Sequence, residues 1–346
     1  MQIIRKKAYA RAGFLGNPSD GYNGKTISFT VRNFFAEVVL YEWNEIEIIL
    51  ARQDAARFRS VKELANDVKM HGYYGGIRLI KATIKRFVEY CEDRDIPLHS
   101  QNFSIRYHST IPRQVGLAGS SSIIVATLRC LMEFYDVAIP AYIQPSFVLS
   151  VEQEELGITA GLQDRVIQIY EGLVYMDFSR EAEKAEEGYR YYSYEPLDPD
   201  LLPPVYIAYH DGLSEPTEIF HNDLVGRYRR GDTDVVQAMD RFAGIAEEGR
   251  KALLERDYAR LPELVNENFD LRKSIARLPG WQSEMVYAAR ECGASAKFAG
   301  SGGAIAGIYE NGEMLDRLTR RLSEMNVRVF IPEIYPSEPV GSGVRQ

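Results

Sequence analysis

The first half of the chain alternates between segments with strand-like and helix-like spacing of apolar residues. Residues 27–40 are rich in Val, Phe and Thr, and residues 45–50 alternate charged with apolar side chains, so both predict strands. Residues 75–90 place apolar side chains at three- and four-residue steps, which predicts a helix. The other elements predicted here are a helix over 61–68, a strand over 102–108, and a helix over 120–135 that follows a glycine-rich turn.

The second half is predicted to be mostly helical. Residues 179–204 are charged, rich in tyrosine and interrupted by proline, and this change of composition favours a domain boundary. We therefore expect an α+β protein with an N-terminal domain over 1–185, a linker region over 186–204, a C-terminal domain over 205–336 and a tail over 337–346. The elements predicted for the C-terminal domain are helices over 235–255, 259–275, 282–291 and 313–324, and strands over 205–210 and 327–331.

Composition and charge exclude several classes of protein. The 346 residues are 45% hydrophobic and 26% charged, as in ordinary globular proteins. A net charge of −8 argues against nucleic acid or an anionic membrane as a partner. The three widely spaced cysteines form no disulfide framework, and the polar start lacks a signal peptide's apolar core. These features predict a cytoplasmic protein.

One segment has the composition of a phosphate-binding loop. Residues 111–122 read Ile-Pro-Arg-Gln-Val-Gly-Leu-Ala-Gly-Ser-Ser-Ser and join a predicted strand to a predicted helix. The glycines let backbone N–H groups turn inward, and the start of the helix adds partial positive charge, which together suit a phosphate group. Serine hydroxyls there suit phosphate oxygens or Mg²⁺. The alternative is a run of serines that cap the helix after a tight turn.

Three further clusters could contribute chemistry. Asp164 lies between a glycine turn and an apolar segment, where a carboxylate could orient a hydroxyl or take its proton, or could cap a helix. The glutamates near residue 152 could complete a Mg²⁺ site or form a solvated face. Arg11 precedes the polar turn 16–26 and could neutralise phosphate charge. The glycine turn at 300–303 is weak evidence by itself.

Taken together, these segments resemble the GHMP kinase superfamily. Residues 112–122 resemble its phosphate-binding signature, 11–20 its N-terminal element and 297–303 its C-terminal element, in the family's order. The resemblance is strongest to the glucuronokinase branch, on the segments 14–20, 73–76, 111–114, 161–166 and 176–179. It implies an N-terminal α/β domain of the ribosomal S5 domain 2-like type and a ferredoxin-like C-terminal domain. It also implies ATP- and Mg²⁺-dependent phosphorylation of the anomeric C1 hydroxyl of D-glucuronate.

The resemblance also implies a role for each matching residue. Asp164 would be the catalytic base that orients or deprotonates the sugar hydroxyl, and Arg11 the cation that assists it. Ser121 and Glu152 would hold Mg²⁺, with Ser120, Glu154 and Glu155 as alternatives. The nucleotide-binding residues would be Pro112, Gly116, Leu117, Ala118, Gly119, Ser120, Ser121 and Ser122. The substrate-binding residues would be Asn17, Asp20, Tyr22, Asp164, Gly300 and Gly302.

The pattern leaves the substrate open. Asn17-Pro18 replaces the Glu-His pair of galactokinases, and no motif assigns a residue to the glucuronate carboxylate. Arg32, Arg113 and Arg165 are candidates, because arginine binds a carboxylate with two parallel hydrogen bonds. The alternatives are a kinase for galacturonate, a neutral hexose or a mevalonate-like alcohol, or a non-catalytic sensor of nucleotide or sugar. A sensor would not need both Asp164 and Glu152.

Overall fold

The computed structural model describes residues 3–49, 75–210, 212 and 218–337. The strands are β1 (Ile3–Leu15), β2 (Lys25–Trp43), β3 (Glu47–Ile49), β4 (Asn102–Ser109), β5 (Leu173–Asp177), β6 (Lys184–Glu186), β7 (Tyr189–Tyr191), β8 (Ser193–Leu197), β9 (Val205–His210), β10 (Lys297–Phe298), β11 (Ala304–Ile308) and β12 (Val327–Phe330). The helices are α1 (Gly76–Glu92), α2 (Gly119–Tyr135), α3 (Gln144–Ser150), α4 (Gln163–Tyr170), α5 (Glu218–Arg230), α6 (Thr233–Glu255), α7 (Arg260–Ile275), α8 (Gly280–Glu291) and α9 (Gly312–Ser323). The helix predicted over 61–68 lies outside the described residues.

The long strand β2 organises the N-terminal sheet. β1 pairs antiparallel with it along one side, while β4 and β5 pair antiparallel with its two halves on the other side. β3 extends the sheet beyond β4 in parallel, and β8 extends it beyond β5. Part of the predicted linker region 186–204 therefore belongs to this sheet, because β8 forms its edge.

A bulge in β1 reverses which side chains face which side of the sheet. The pairing with β2 shifts between Tyr9 and Ala10. Before the shift, Ile4 and Ala8 pack in the core that contains α1 and α2; after it, Ala10 packs in the core that contains α6 and α7. Since side chains alternate along a strand, the shift turns Arg11 back towards the side of α2 and α4. The bulge therefore places the only arginine between Lys7 and Leu15 next to the loop that precedes α2.

The C-terminal sheet has the ferredoxin-like order. β9 and β11 are central, with β12 beside β9 and β10 beside β11, and all pairs are antiparallel. Helices α5 to α8 separate β9 from β10, and α9 connects β11 to β12. This is the β-α-β-β-α-β arrangement enlarged by additional helices in the first crossover.

The two halves share a core and several hydrogen bonds. Phe29 of β2 belongs to the same buried cluster as Phe242 of α6 and Leu264 of α7. The backbone N–H of Gly13 donates to the carbonyl of Ala299 at 2.6 Å, which ties the end of β1 to the turn after β10. After β12 the chain returns to the first sheet, where Arg32 N–H donates to the carbonyl of Glu333 at 2.9 Å. Within the described ranges, no helix is long and apolar enough to cross a membrane.

Candidate active site

A cleft of about 940 Å³ opens where the two halves meet. From the N-terminal half it is lined by the loop before α2, by the turn 17–22 and by parts of the segment between residues 152 and 165. From the C-terminal half it is lined by residues of α5 and α7 and by Gly300 and Ser301. This volume is in the range of cavities that bind small molecules in proteins.

A buried ion pair lies at the centre of the cleft. Arg11 is 5% exposed, and its Nε and Nη2 atoms donate to the two carboxylate oxygens of Asp164 at 2.6 and 2.7 Å. Its Nη1 donates to the carbonyl of Gly116 at 2.6 Å. The guanidinium group of Arg11 therefore fixes the carboxylate of Asp164 relative to the loop before α2. This requires both the position of Arg11 on β1 and the planar arrangement of its donors.

The loop before α2 has the backbone of an anion-binding turn. Gln114, Gly116 and Ala118 all have left-handed backbone angles, with φ of 54°, 72° and 62°. A Cβ atom on Gly116 would lie 2.5 Å from the carbonyl oxygen of Gly302, so glycine is required where the two loops touch. The first residues of α2 line the cleft, which places the positive end of the helix dipole at its wall.

The carboxylate of Glu152 is completely buried beside the start of α2. It lies in a π-helical turn, Val151–Glu155, that continues α3. Its Oε1 accepts a hydrogen bond from Ser120 Oγ at 2.9 Å, and its Oε2 accepts from Arg165 Nε at 2.6 Å and from Arg165 Nη2. The hydroxyl of Ser121 instead donates to the carbonyl of Ala118 at 3.3 Å. Ser120, rather than Ser121, therefore faces Glu152.

Asp20 forms a second carboxylate near Asp164. Its Oδ2 accepts a hydrogen bond from the backbone N–H of Gln163 at 3.2 Å. This approach requires glycine at 161, since a Cβ atom there would lie 2.0 Å from Asp20 Oδ2. Burial, followed by the charge of Asp164, raises the pKa of Asp20 to about 6. This carboxyl group therefore changes protonation state near neutral pH.

The lining of the cleft is positively charged, although the whole chain is acidic. Among the described lining residues there are six arginines and three acidic side chains. Two of the arginines, Arg11 and Arg165, are paired with Asp164 and Glu152. A local positive site therefore exists within a chain of net charge −8, and it suits anionic ligands.

A buried lysine holds the polar turn after β1. Lys297 is 2% exposed, and its Nζ donates to the carbonyls of Gly13 and Phe298 and to the side-chain oxygen of Asn17. Burial, with the charges of Arg272 and Arg11, holds the pKa of Lys297 well below its usual range. Lys297 is absent from the cleft lining, so we regard it as a positioning residue for Asn17.

Most of the residues predicted from the sequence meet at this cleft. Ser121, Ser122 and Gly302 do not line it, and the Ser122 hydroxyl donates to the carbonyl of Ala118 at 2.8 Å. Arg32 also lies elsewhere, where it pairs with Glu171 at 2.7 Å. The predicted residues that do line the cleft are Arg11, Asn17, Asp20, Tyr22, Pro112, Arg113, Gly116, Leu117, Ala118, Gly119, Ser120, Glu152, Asp164, Arg165 and Gly300.

Sequence reasoning missed two lining arginines from the C-terminal half, Arg229 and Arg272. A signal for Arg272 was present. The buried positions of α7 recur at three- and four-residue steps, and Arg272 occupies one of them between Phe269 and Ile275. A charged residue on the apolar stripe of a helix indicates a buried polar contact.

Comparison with known proteins identifies the class. The family model described as "GHMP kinases N terminal domain" matches residues 78–172, and the one described as "GHMP kinases C terminal" matches residues 250–328. The structure of Lactococcus lactis galactokinase complexed with galactose has the same fold, with a TM-score of 0.76, 13% identity, and coverage of 97% of this chain and 94% of that chain. The chain belongs to the GHMP kinase family, and the predicted two-domain α+β fold is confirmed.

Within this family the chain is most informatively compared with two plant proteins. It is 46% identical to glucuronokinase 1 of Arabidopsis thaliana over 310 residues, which cover 87% of this chain and 84% of the relative. It is 44% identical to probable glucuronokinase 2 of the same plant, over 88% of this chain and 83% of the relative. The prediction of a phosphotransferase of the sugar-kinase type is thereby confirmed, and membership of a kinase family implies the use of ATP.

Proposed function

We propose that the protein transfers the γ-phosphoryl group of ATP to the anomeric C1 hydroxyl of D-glucuronate, giving glucuronate 1-phosphate and ADP. The observation that carries this proposal is the Arg11–Asp164 pair, tied through the Gly116 carbonyl to the loop before α2. It places a carboxylate that can receive a hydroxyl proton beside a turn that can hold phosphate groups. The identity to Arabidopsis glucuronokinase 1 supports glucuronate as the acceptor.

The loop before α2 would bind the phosphates of ATP. Its left-handed residues and the first turn of α2 direct backbone N–H groups and the helix dipole towards the cleft. Arg113, in the same loop, also lines the cleft. Because phosphoryl transfer requires mainly positioning and charge stabilisation, a rigid set of donors here is sufficient to orient the γ-phosphate.

Ser120 and Glu152 would hold Mg²⁺. Their side-chain oxygens lie 2.9 Å apart at the cleft wall, and hydroxyl and carboxylate oxygens are ligands that Mg²⁺ accepts. The described residues contain no group of three or more His, Cys, Asp or Glu side chains that could hold a metal alone. This donor set therefore suits an ion that is bound largely by substrate phosphates and water, as Mg²⁺ usually is. When bound, Mg²⁺ offsets the charge of the transferred phosphoryl group.

Asp164 would orient the acceptor hydroxyl. The carboxylate receives the hydroxyl hydrogen bond, and takes the proton as the bond from O1 to the γ-phosphorus forms and the bond to the leaving ADP oxygen breaks. Arg11 prevents Asp164 from turning, since both of its oxygens are held by one planar group. Asn17, Asp20 and Tyr22 line the same region and would contact the sugar.

The test is ADP release with a panel of acceptors, followed by assignment of the phosphorylated carbon by phosphorus NMR. The panel consists of D-glucuronate, D-galacturonate, D-glucose, D-galactose and mevalonate, each with ATP and Mg²⁺. We expect D-glucuronate to have the largest kcat/KM and to give the 1-phosphate. Activity on neutral hexoses without activity on uronates would overturn the proposal.

A further inference from the structure

Four of the six arginines that line the cleft form two groups with different partners. In the N-terminal half, Arg11 and Arg165 each donate to a carboxylate at 2.6 Å. In the C-terminal half, Arg272 and Arg229 make no ion pair with any residue that the structure describes. The C-terminal wall therefore offers positive charge that no described carboxylate pairs with.

Arg272 is held by backbone carbonyls and makes no ion pair with a described residue. It is 4% exposed, and its Nη1 and Nη2 donate to the carbonyls of Gly300 and Ser301 at 2.7 and 2.9 Å. Its Nε is buried without a hydrogen-bond partner. Burial lowers the pKa of Arg272 to about 10, which leaves the group charged at neutral pH. A buried cation that binds only neutral carbonyls gains strongly from an anion placed against it.

The Tyr22 hydroxyl belongs to the turn 17–22, packs against this wall and also lacks a partner among the described residues. The side chain is 7% exposed, its ring packs edge-on against Tyr228 at 4.8 Å, and its oxygen has no hydrogen-bond partner among the described residues. Burial raises the pKa of Tyr22 to about 12, so the hydroxyl keeps its proton and can donate. The charges of Asp20, Arg272 and Arg229 all act on Tyr22, and Tyr22, Arg272 and Arg229 line the same cleft.

Asp20 lies near this position, since its charge acts on both Tyr22 and Arg272. Its Oδ2 is directed at the backbone N–H of Gln163, against Gly161, and it makes no ion pair with Arg272. The carboxylate side of the turn 17–22 thus faces α4, and the Tyr22 side faces α5 and α7. An acidic ligand group would avoid Asp20 and lie towards Tyr22 and Arg229.

We propose that Arg272, the Tyr22 hydroxyl and Arg229 form the subsite that binds the carboxylate of the acid-sugar substrate. This inference rests on the proposed function. Arg272 supplies a fixed buried charge, Tyr22 donates a hydrogen bond, and Arg229, which is exposed on α5, adds a second charge at the mouth. The three arginines predicted for this role from the sequence are replaced by these groups, since Arg32 lies outside the cleft, Arg165 is paired with Glu152, and Arg113 belongs to the loop before α2.

The experiment compares D-glucuronate with D-glucuronamide, which has the same shape but no charge at C6. The variants are Tyr22→Phe and Arg229→Gln, because Arg272 also holds the turn at Gly300 and its substitution would change that turn. Arg230→Gln is the matched control, since Arg230 neighbours Arg229, pairs with Asp232 and does not line the cleft. A charge-assisted hydrogen bond predicts a loss of about 10-fold or more in kcat/KM for glucuronate in Tyr22→Phe.

The expected result is a selective loss. KM for glucuronate rises in Tyr22→Phe and Arg229→Gln, and the loss of kcat/KM is about fivefold larger or more for glucuronate than for glucuronamide, whose neutral carbonyl still accepts a hydrogen bond from Tyr22. KM for ATP and every parameter of Arg230→Gln stay within twofold of the wild type. Equal losses for glucuronate and glucuronamide, or an unchanged preference for glucuronate in both variants, would overturn the subsite alone. A wild-type enzyme that does not phosphorylate glucuronate would instead overturn the proposed function.

Discussion

The two walls of the cleft differ in how their charges are matched. On the N-terminal wall two carboxylates have arginine partners: Asp164 is bound by Arg11 and Glu152 by Arg165. On the C-terminal wall the buried Arg272 donates hydrogen bonds to backbone carbonyls only. The Tyr22 hydroxyl, which belongs to the turn 17–22 beside this wall, has no hydrogen-bond partner among the described residues. Asp164 and Glu152 therefore have ion-pair partners without a ligand, whereas Arg272 has none among the described residues.

This difference separates chemistry from specificity. Catalytic groups must be in place before the substrate arrives, and paired charges keep their geometry without it. A recognition group discriminates between ligands when only the substrate supplies its hydrogen bonds or counter-charge. An analogue without the matching group leaves the protein group unpaired and binds less tightly. The largest effects are therefore expected where the ion pairs of the N-terminal wall are broken, and smaller effects at groups nearer the boundary between the two walls.

The largest effect is expected from Asp164→Asn. The amide keeps the size of the side chain but removes the proton acceptor, so we expect kcat to fall by about 10³-fold, within the usual range for loss of a general base. Nucleotide affinity should change by less than about threefold, because Asp164 is not part of the loop before α2. The measurements are steady-state ADP release and calorimetric titration with ADP.

Asp177→Asn is the matched control. Its side chain is 22% exposed against 21% for Asp164, and it also lies near a cation, Lys25, at 3.6 Å. It does not line the cleft, so its kcat should remain within twofold of the wild type. Equal losses in the two variants would show that Asp164 acts through stability rather than chemistry.

Breaking the ion pair between Glu152 and Arg165 should mainly reduce the free energy of unfolding. In Glu152→Gln the buried guanidinium of Arg165 loses its counter-charge, and removal of one partner of a buried ion pair costs about 3–5 kcal/mol of unfolding free energy. Glu154→Gln is the control, since its side chain is 61% exposed and its change should stay within about 0.5 kcal/mol. Urea denaturation with an ATP-free protein measures both. If the Glu152→Gln protein were as stable as the Glu154→Gln protein, the stabilising role of the Glu152–Arg165 ion pair would be contradicted.

The residues of the N-terminal wall were predicted from the sequence far better than those of the C-terminal wall. The phosphate-binding loop could be recognised because its glycines and serines are contiguous, and the helix expected over 120–135 is observed as Gly119–Tyr135. The helices expected over 235–255 and 259–275 also match Thr233–Glu255 and Arg260–Ile275, because their apolar periodicity is long. Short elements such as α3 were missed, since seven residues give too little periodicity.

The remaining parts of the site depend on three-dimensional geometry that cannot be predicted from the order of residues. The bulge at Tyr9 and Ala10 decides which face Arg11 occupies, and the order of residues gives no sign of the shift in pairing. The choice between Ser120 and Ser121 depends on where α2 begins, because successive side chains on a helix point about 100° apart. Arg229 and Tyr22 are 207 positions apart along the chain and meet only through packing of the two halves.

Asp20 lies near the boundary between the two walls, and its protonation should make the unfolding free energy depend on pH. Its pKa of about 6 exceeds the ordinary value of 3.8, so between about pH 4 and 6 the folded protein binds more protons than the unfolded chain. The wild type should therefore lose about 1–2 kcal/mol of unfolding free energy relative to Asp20→Asn as the pH rises across that window. Above about pH 7 the difference should be constant. Denaturant melts of both proteins at pH 4.5, 5.5 and 7 measure it, and a difference independent of pH would contradict the raised pKa.

The smallest effect should separate the two serines at the start of α2. Ser120 Oγ faces Glu152, so Ser120→Ala removes one of the two oxygens proposed for Mg²⁺, and the Mg²⁺ concentration for half-maximal activity should rise about five- to tenfold. Ser121→Ala is the matched control, because its hydroxyl donates to the Ala118 carbonyl and the side chain is 1% exposed. Its Mg²⁺ dependence should equal that of the wild type. A shift in Ser121→Ala without one in Ser120→Ala would return the metal to Ser121, and would require the first turn of α2 to rotate by about one residue when ATP binds.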